Sequence, residues 1–441
     1  MTDPTPRVPG GHPITGHLAF FGRDPLPFLQ RAEALGGVVR FRLFVKKGFI
    51  ISDPAAVRRV LVDNVANYQK LTRGYVKLRL LLGEGLVTSE GDFWLRQRRI
   101  AQPAFGRHRL AMFTTPIVRA TADLVARWGD GGELEVAEAM NLLALRIAGE
   151  TLLGEDVTAD AATIGGSMLT VLQHFPRLVS APVPYPERWP GAANRQFWRA
   201  VNALHAVVDA VIAERRAQPE TTEDLLGLLM AARDPETGEG MSDRQLRDEA
   251  LTMMLAGHET TANALAWTLS LLADHPDVQA RAAAEAAAAT PDDGPADLGK
   301  VPYLKQIFQE ALRLYPPVWL LARYAVGEDT LAGASIPPGA YLFLSPWAIH
   351  RSPTHWPEPE RFDPDRFAPD RPPPDRSVYL PFSRGRRQCI GDRFAEMEAL
   401  LVLAALLKGF RFEPVAGQVL IPEPSITLRP RGGLRLRVSP R

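Results

Sequence analysis

The chain holds one cysteine, Cys389, in the segment Pro381-Phe382-Ser383-Arg384-Gly385-Arg386-Arg387-Gln388-Cys389-Ile390-Gly391. A helical pattern follows from Asp392 to about Lys408, so the thiol is expected on a loop at a helix start. Arginines flank it and the positive end of the helix dipole faces it. Both favour the thiolate, the form that binds a metal. A lone cysteine can also be a small buried side chain with no chemistry. Its solitude excludes an intramolecular disulfide and a multi-cysteine zinc or iron-sulfur site, and it fits a reducing compartment.

A second constellation is Leu251-Thr252-Met253-Met254-Leu255-Ala256-Gly257-His258-Glu259-Thr260-Thr261, which sets a glycine and then polar residues inside an apolar helical pattern about 30 residues long. A mid-helix glycine costs about 1 kcal/mol relative to alanine, and a buried carboxylate costs several more unless satisfied. Broken local rules inside a core mark places where function is expected. His258 reads as a satisfied or solvent-facing side chain rather than a ligand. Glu310 and Arg313 stand three apart, and Trp94 and Arg98 four apart, so each pair shares a helix face. Taken alone, such pairs are commonly solvated contacts of small energy.

The cysteine segment resembles the haem-binding loop of the cytochrome P-450 family: Phe382, Gly385, Arg387, Cys389 and Gly391 fill every fixed position of that pattern. The resemblance implies haem b with Cys389 as the axial sulfur ligand, its thiolate pushing electron density into the iron. It implies that the glycines let the backbone turn tightly near the porphyrin, and that Arg387 pairs with a propionate. The Glu-x-x-Arg motif is matched by Glu310 and Arg313, and Pro359-Glu360-Arg361-Phe362 resembles the segment whose arginine completes their buried network. Glu310, Arg313 and Arg361 are therefore expected to hold the haem-side core. Trp94, Arg98 and Arg323 resemble further propionate partners. On the distal helix, Ala256 and Gly257 would open a groove for dioxygen, Thr260 would hydrogen-bond the activated oxygen, and Glu259 would relay protons from solvent. Val87, Ala256 and Val318 would line the substrate pocket.

Positioning these residues calls for a largely helical scaffold. Helical patterns run near Arg107 to Trp128, Leu134 to Leu153, Ala193 to Ala217, Asp243 to Ala273, Pro276 to Ala289 and Leu304 to Tyr315. Val38 to Ser52 reads as a two-stranded hairpin turning at Lys47-Gly48, and further strands are expected around Ile426 to Val438. Phe175 to Pro190 carries five prolines and is expected to be a helix-free connection. The proline-dense Pro353 to Pro381, with Trp356, Phe362, Phe367 and Tyr379, suits irregular but packed chain. The expected fold class is mainly α with small β-sheets, and the resemblance specifies the family's triangular helical prism, with haem between the distal helix and the cysteine loop. It spans residues 1–441 as one domain.

Composition is compatible with this. The 441 residues are 46% hydrophobic and 23% charged, enough for a sizeable core, and the net charge of +1 does not favour a dedicated nucleic-acid binder. The amino terminus shows no export signal, and the run Ala399 to Leu407 is far short of the roughly 20 residues that span a bilayer. A cytoplasmic protein without a membrane span is expected. The resemblance implies a monooxygenase that inserts one atom of O2, its co-substrate, into a C–H or C=C bond of an apolar small molecule, fatty acids and terpenoids first. No flavin or ferredoxin domain follows Arg441, so electrons are expected from a separate ferredoxin or flavodoxin with its NAD(P)H reductase. Arg96, Arg99, Arg107, Arg109, Arg384 and Arg386 are candidates for its docking face. The alternatives are a peroxide-driven haem-thiolate peroxygenase, which usually lacks the Glu259-Thr260 pair, a non-enzymatic haem-binding sensor or carrier, and a thiol-based redox protein without haem.

Overall fold

The computed structural model describes residues 5–154, 161–181, 185–217, 224–291 and 294–441. Its axis is the 32-residue helix Asp243–Asp274, here called the central helix. A capping box starts it: the Ser242 hydroxyl accepts from the Gln245 N–H, and the Gln245 side chain accepts from the Ser242 N–H at 2.8 Å. It stops before Pro276, which disfavours helical geometry in the preceding residue.

Two hydrophobic cores meet along this helix. The first half, Leu246 to Leu255, packs with the helices Arg73–Leu82, Gly91–Ala101, Ala161–Ser180 and Ala192–Ala217. The second half, Ala262 to Ala273, packs with Val136–Ala148, Pro302–Leu314 and Asp392–Gly409. The polar segment Ala256 to Thr260 therefore falls at the junction between the cores.

A five-stranded sheet has the order Val38–Leu43, Lys46–Ile51, Tyr341–Leu344, Leu321–Ala325, Tyr68–Gln69. Its last pairing sets Gln69 opposite Tyr324, which brings Lys70 and Arg323 to neighbouring ends of adjacent strands. The opening hairpin turns at Phe44-Val45 rather than at Lys47-Gly48, with Phe44 at φ 51°. Gly48 instead faces Phe41 across the ladder, where a Cβ would lie 2.5 Å from the Phe41 ring, so its glycine serves packing and not the turn.

Other expectations shift for equally local reasons. The helix Ala161–Ser180 runs through Pro176, so the connection expected to begin at Phe175 begins at Ala181; residues 182–184 of that stretch lie outside the described residues. Gly132–Glu135 is a strand paired with Arg435–Pro440, and the helix expected from Leu134 starts at Val136. Arg107 to Trp128 is a short helix, a 3-10 turn and then the helix Thr114–Trp128. The proline-dense loop is packed as expected, with Trp356, Phe367 and Tyr379 in mutual ring contact at 5.0 to 6.2 Å. Among the described residues no helix is long and apolar enough to cross a membrane.

Candidate active site

The cysteine loop closes on itself through the Cys389 N–H, which donates to the Phe382 carbonyl at 3.0 Å. Gly385 takes φ 75°, and a Cβ there would sit 2.2 Å from the Leu61 carbonyl oxygen, so no other residue fits without displacing the backbone. Gly391 takes φ −98°, and the nearest protein atom to its would-be Cβ is a Phe105 ring carbon at 3.7 Å, an ordinary contact.

Cys389 is exposed to water, while protein surrounds it on its other sides. That enclosure raises its thiol to about 11, outweighing the Gly391 N–H and the nearby Arg98 and Lys70. Ligation of a metal would favour the thiolate against this desolvation.

Beside the loop stands a group of four cations. Arg387 lies over the Trp94 ring at 3.8 Å, donates to the Ser89 carbonyl at 3.0 Å and pairs with Glu90. Arg98, one turn after Trp94, donates to the Gln388 carbonyl at 3.0 Å. Arg323 is 1% exposed and donates to its neighbour Ala322. Lys70, which the sequence reading missed, donates to the Val87 carbonyl at 3.0 Å, while its N–H donates to Glu90 at 2.7 Å. Burial first, then Arg323 and Arg387, hold its ammonium well below the usual lysine range. Four cations against two carboxylates, Glu90 and, beside Arg98, Asp392, leave a positive excess that suits a ligand carrying two carboxylates.

On the central helix almost every residue from Leu246 to Ala273 is buried, but Ala256 is exposed and Gly257 and Thr260 are half-exposed. Spaced at i, i+1 and i+4, they form one open stripe. A Cβ on Gly257 would meet nothing within 4 Å, so the groove is real and the missing side chain widens it. The Thr260 hydroxyl donates to the Ala256 carbonyl at 2.5 Å. Its hydrogen points along the helix, leaving its lone pairs available to accept.

Glu259 points elsewhere. It is 3% exposed, hydrogen-bonds Thr427, and burial pushes its carboxyl up to about 7 against the pull of Thr427 and Arg429. Asn263 donates to both the Glu259 carbonyl at 2.9 Å and the Thr427 hydroxyl at 3.1 Å, so the two residues extend the polar cluster. Sequence offered no signal for Thr427, which lies 164 positions from Asn263. His258 is neither satisfied nor solvent-facing: it is 2% exposed and neither ring nitrogen has a partner among the described residues, and burial lowers it to about 4.

The Glu310–Arg313 pair is wholly buried, and Arg313 uses all five N–H donors. Two go to Glu310 at 2.7 and 2.8 Å, and three to the carbonyls of His350, Pro359 and Arg361. The third charged member is Arg366, whose Nε lies 3.3 Å from Glu310, and not Arg361, whose exposed side chain pairs with Glu358. The family-like Pro-x-Arg-Phe is thus Pro364-Asp365-Arg366-Phe367. His350 bonds the Arg313 carbonyl at 3.1 Å and accepts from the Leu380 N–H at 2.8 Å, tying this network to the start of the cysteine loop.

Of the proposed pocket residues, Val87 and Val318 are half-buried and pack against different cores, while Ala256 belongs to the open stripe. Of the arginines considered for docking, Arg96 and Arg99 are engaged by Asp234, Glu236 and Glu239, and Arg384 bonds Ser377. Arg109 and Arg386 are exposed, and the Arg107 side chain lies outside the described residues. Acidic partners next to Arg96 and Arg99 remove them from a free basic face.

The comparisons with known proteins bear on the whole chain. The family model "Cytochrome P450" matches residues 6–436. The chain is 36% identical to "Cyclooctatin synthase" of Streptomyces melanosporofaciens, over 98% of this chain and 95% of that protein. It is 33% identical to "Pentalenene oxygenase" of Streptomyces avermitilis, over 98% of this chain and 97% of that protein. A solved structure, "Crystal structure of cytochrome P450DA heme domain", superposes with a TM-score of 0.90 at 30% identity, covering 99% of this chain and 97% of that one. The chain belongs to the cytochrome P450 family and has its fold. It is a haem-dependent monooxygenase.

Proposed function

We propose that this protein is a haem-thiolate monooxygenase whose substrate is an apolar terpenoid, with fatty acids as the next class. The observation that supports the chemistry is the open stripe Ala256, Gly257 and Thr260 on an otherwise buried helix, in a chain whose single cysteine, Cys389, is accessible. The terpenoid ranking draws support from the relatives named for cyclooctatin and pentalenene chemistry.

When bound, the haem supplies an iron centre that activates dioxygen for insertion of one oxygen atom into a C–H or C=C bond. Cys389 would hold the iron through its sulfur. Lys70, Arg98, Arg323 and Arg387 would hold the two carboxylates, with Trp94 stacked under Arg387 to fix its direction. Phe382, Gly385 and Gly391 shape the cysteine loop. Thr260 can accept a hydrogen bond at Oγ1 while donating to Ala256, so it can retain a proton-bearing group in the groove. Glu259, with its carboxyl near 7, can hold a proton at neutral pH and is hydrogen-bonded to the Thr427 hydroxyl, through which that proton can be exchanged. Val87, Ala256 and Val318 would exclude water and shape the pocket, and Glu310, Arg313 and Arg366 would hold the loop's support. Electrons would come from a separate ferredoxin or flavodoxin and its NAD(P)H reductase, docking near exposed Arg109 and Arg386 in the cytoplasm.

The test is an optical titration of the ferric holoprotein with cyclic sesquiterpenes and diterpenes, fatty acids and steroids. The expected result is a high-spin shift with terpenoids at lower concentration than with fatty acids. A shift with steroids alone would overturn the substrate ranking and leave the reaction class standing.

A further inference from the structure

The loop that carries Val87 is laid on the first half of the central helix by two adjacent acids. Asp248, 4% exposed, accepts from the Glu84 N–H at 3.0 Å, and Glu249, 1% exposed, accepts from the Leu86 N–H at 3.0 Å. The contact is tight enough to require two glycines. A Cβ on Gly83 would sit 2.2 Å from the Asp248 carboxylate, and one on Gly85 2.0 Å from the Thr252 hydroxyl. On the other side, the Val87 carbonyl accepts from Lys70, and Glu90 ties to both Lys70 and Arg387. The segment Leu86 to Glu90 is therefore strapped between the central helix and the cation group.

Glu249 precedes Ala256 by seven residues, two helical turns, and shares its face of the helix. It grips the amide of the residue next to Val87, and its second oxygen has no partner among the described residues. We propose that Glu249 is a positioning residue for substrate specificity: its carboxyl holds the Leu86 N–H and thereby sets how closely Val87 approaches the reaction groove. This rests on the reading of the groove as the oxidising pocket. Burial pushes the Glu249 carboxyl up to about 8, so it acts as a neutral acceptor, a role that a glutamine of the same reach can fill. An aspartate, one methylene shorter, cannot reach the Leu86 amide from the same helix position.

The test uses ferric holoprotein and a series of N-alkylimidazoles. The azole nitrogen binds the iron whatever the natural substrate, and the alkyl tail reads the pocket wall. The variants are Glu249→Gln, Glu249→Asp and Glu249→Leu, each with and without Val87→Ala. Glu249→Gln is expected to bind the long-tailed azoles within about twofold of the parent, while Asp and Leu weaken them by about tenfold, the scale of one lost buried hydrogen bond. Binding of imidazole itself stays unchanged, and Val87→Ala has its effect in the parent but little in Glu249→Asp. The proposal is overturned if Glu249→Asp matches the parent. It is equally overturned if imidazole weakens along with the long azoles, or if the Val87 and Glu249 effects simply add. A parent protein that gives no azole shift at all would overturn the reading of the site, and this proposal with it.

Discussion

Arg366 sets its Nε 3.3 Å from the buried Glu310 carboxylate, while Arg361, five residues earlier in a near-identical Pro-x-Arg-Phe setting, leaves its side chain in solvent. Only the Arg361 carbonyl serves the network, by accepting from Arg313. Removing the Arg361 side chain should therefore shift stability by no more than about 0.5 kcal/mol. Arg366→Ala deletes a hydrogen bond to a buried carboxylate and should cost about 1–3 kcal/mol. Chemical denaturation of the two variants checks this. Equal losses would contradict the assignment.

The two motifs show where sequence reading reaches its limit. Both segments offer proline, an acid, arginine and phenylalanine in the same order, and only the long-range contact with Glu310 tells them apart. The helices were more legible because their signals are local: Pro276–Ala289 follows from a proline at the first position and an alanine run, and Asp243–Asp274 from its capping box and the following proline. The helix Ala161–Ser180 was hidden because Pro176 was read as a break, and the helix carries it. Glu259 and Thr260 stood out by breaking local rules inside an apolar helix, and Cys389 by the fixed neighbours of its loop. Lys70 and Thr427 did not, since an ordinary lysine after a short strand and a threonine near the carboxyl end gain meaning only when the fold brings them to Arg323 and Asn263.

Lys70 is expected to matter for cofactor retention. Its ammonium belongs to an enclosed group with Arg98, Arg323 and Arg387, and such a group is costly without an anionic ligand. Lys70→Met should lower haem occupancy after dialysis, by about tenfold in affinity, the scale of one charge-assisted hydrogen bond. The haem-to-protein absorbance ratio measures it. Full retention in Lys70→Met would mean that the lysine serves only the Val87 carbonyl.

Glu259 gives turnover a direction in pH. Burial raises its carboxyl to about 7, so it carries a proton below that value and loses it above. As a relay it must hand on a proton, and kcat should fall as pH rises through about 7. Glu259→Gln should be slower by about a hundredfold and lose that limb of the profile, because an amide does not titrate there. A variant that keeps the same limb would move the titration to another group.

The central claim is that the Cys389 sulfur is the iron's ligand, and it is tested most directly by the carbon monoxide difference spectrum of the reduced holoprotein beside that of Cys389→Ser. The parent should give the thiolate-type band, and the serine variant should lose it even where haem is still retained. A parent spectrum without that band, or a variant that keeps it, would contradict the account.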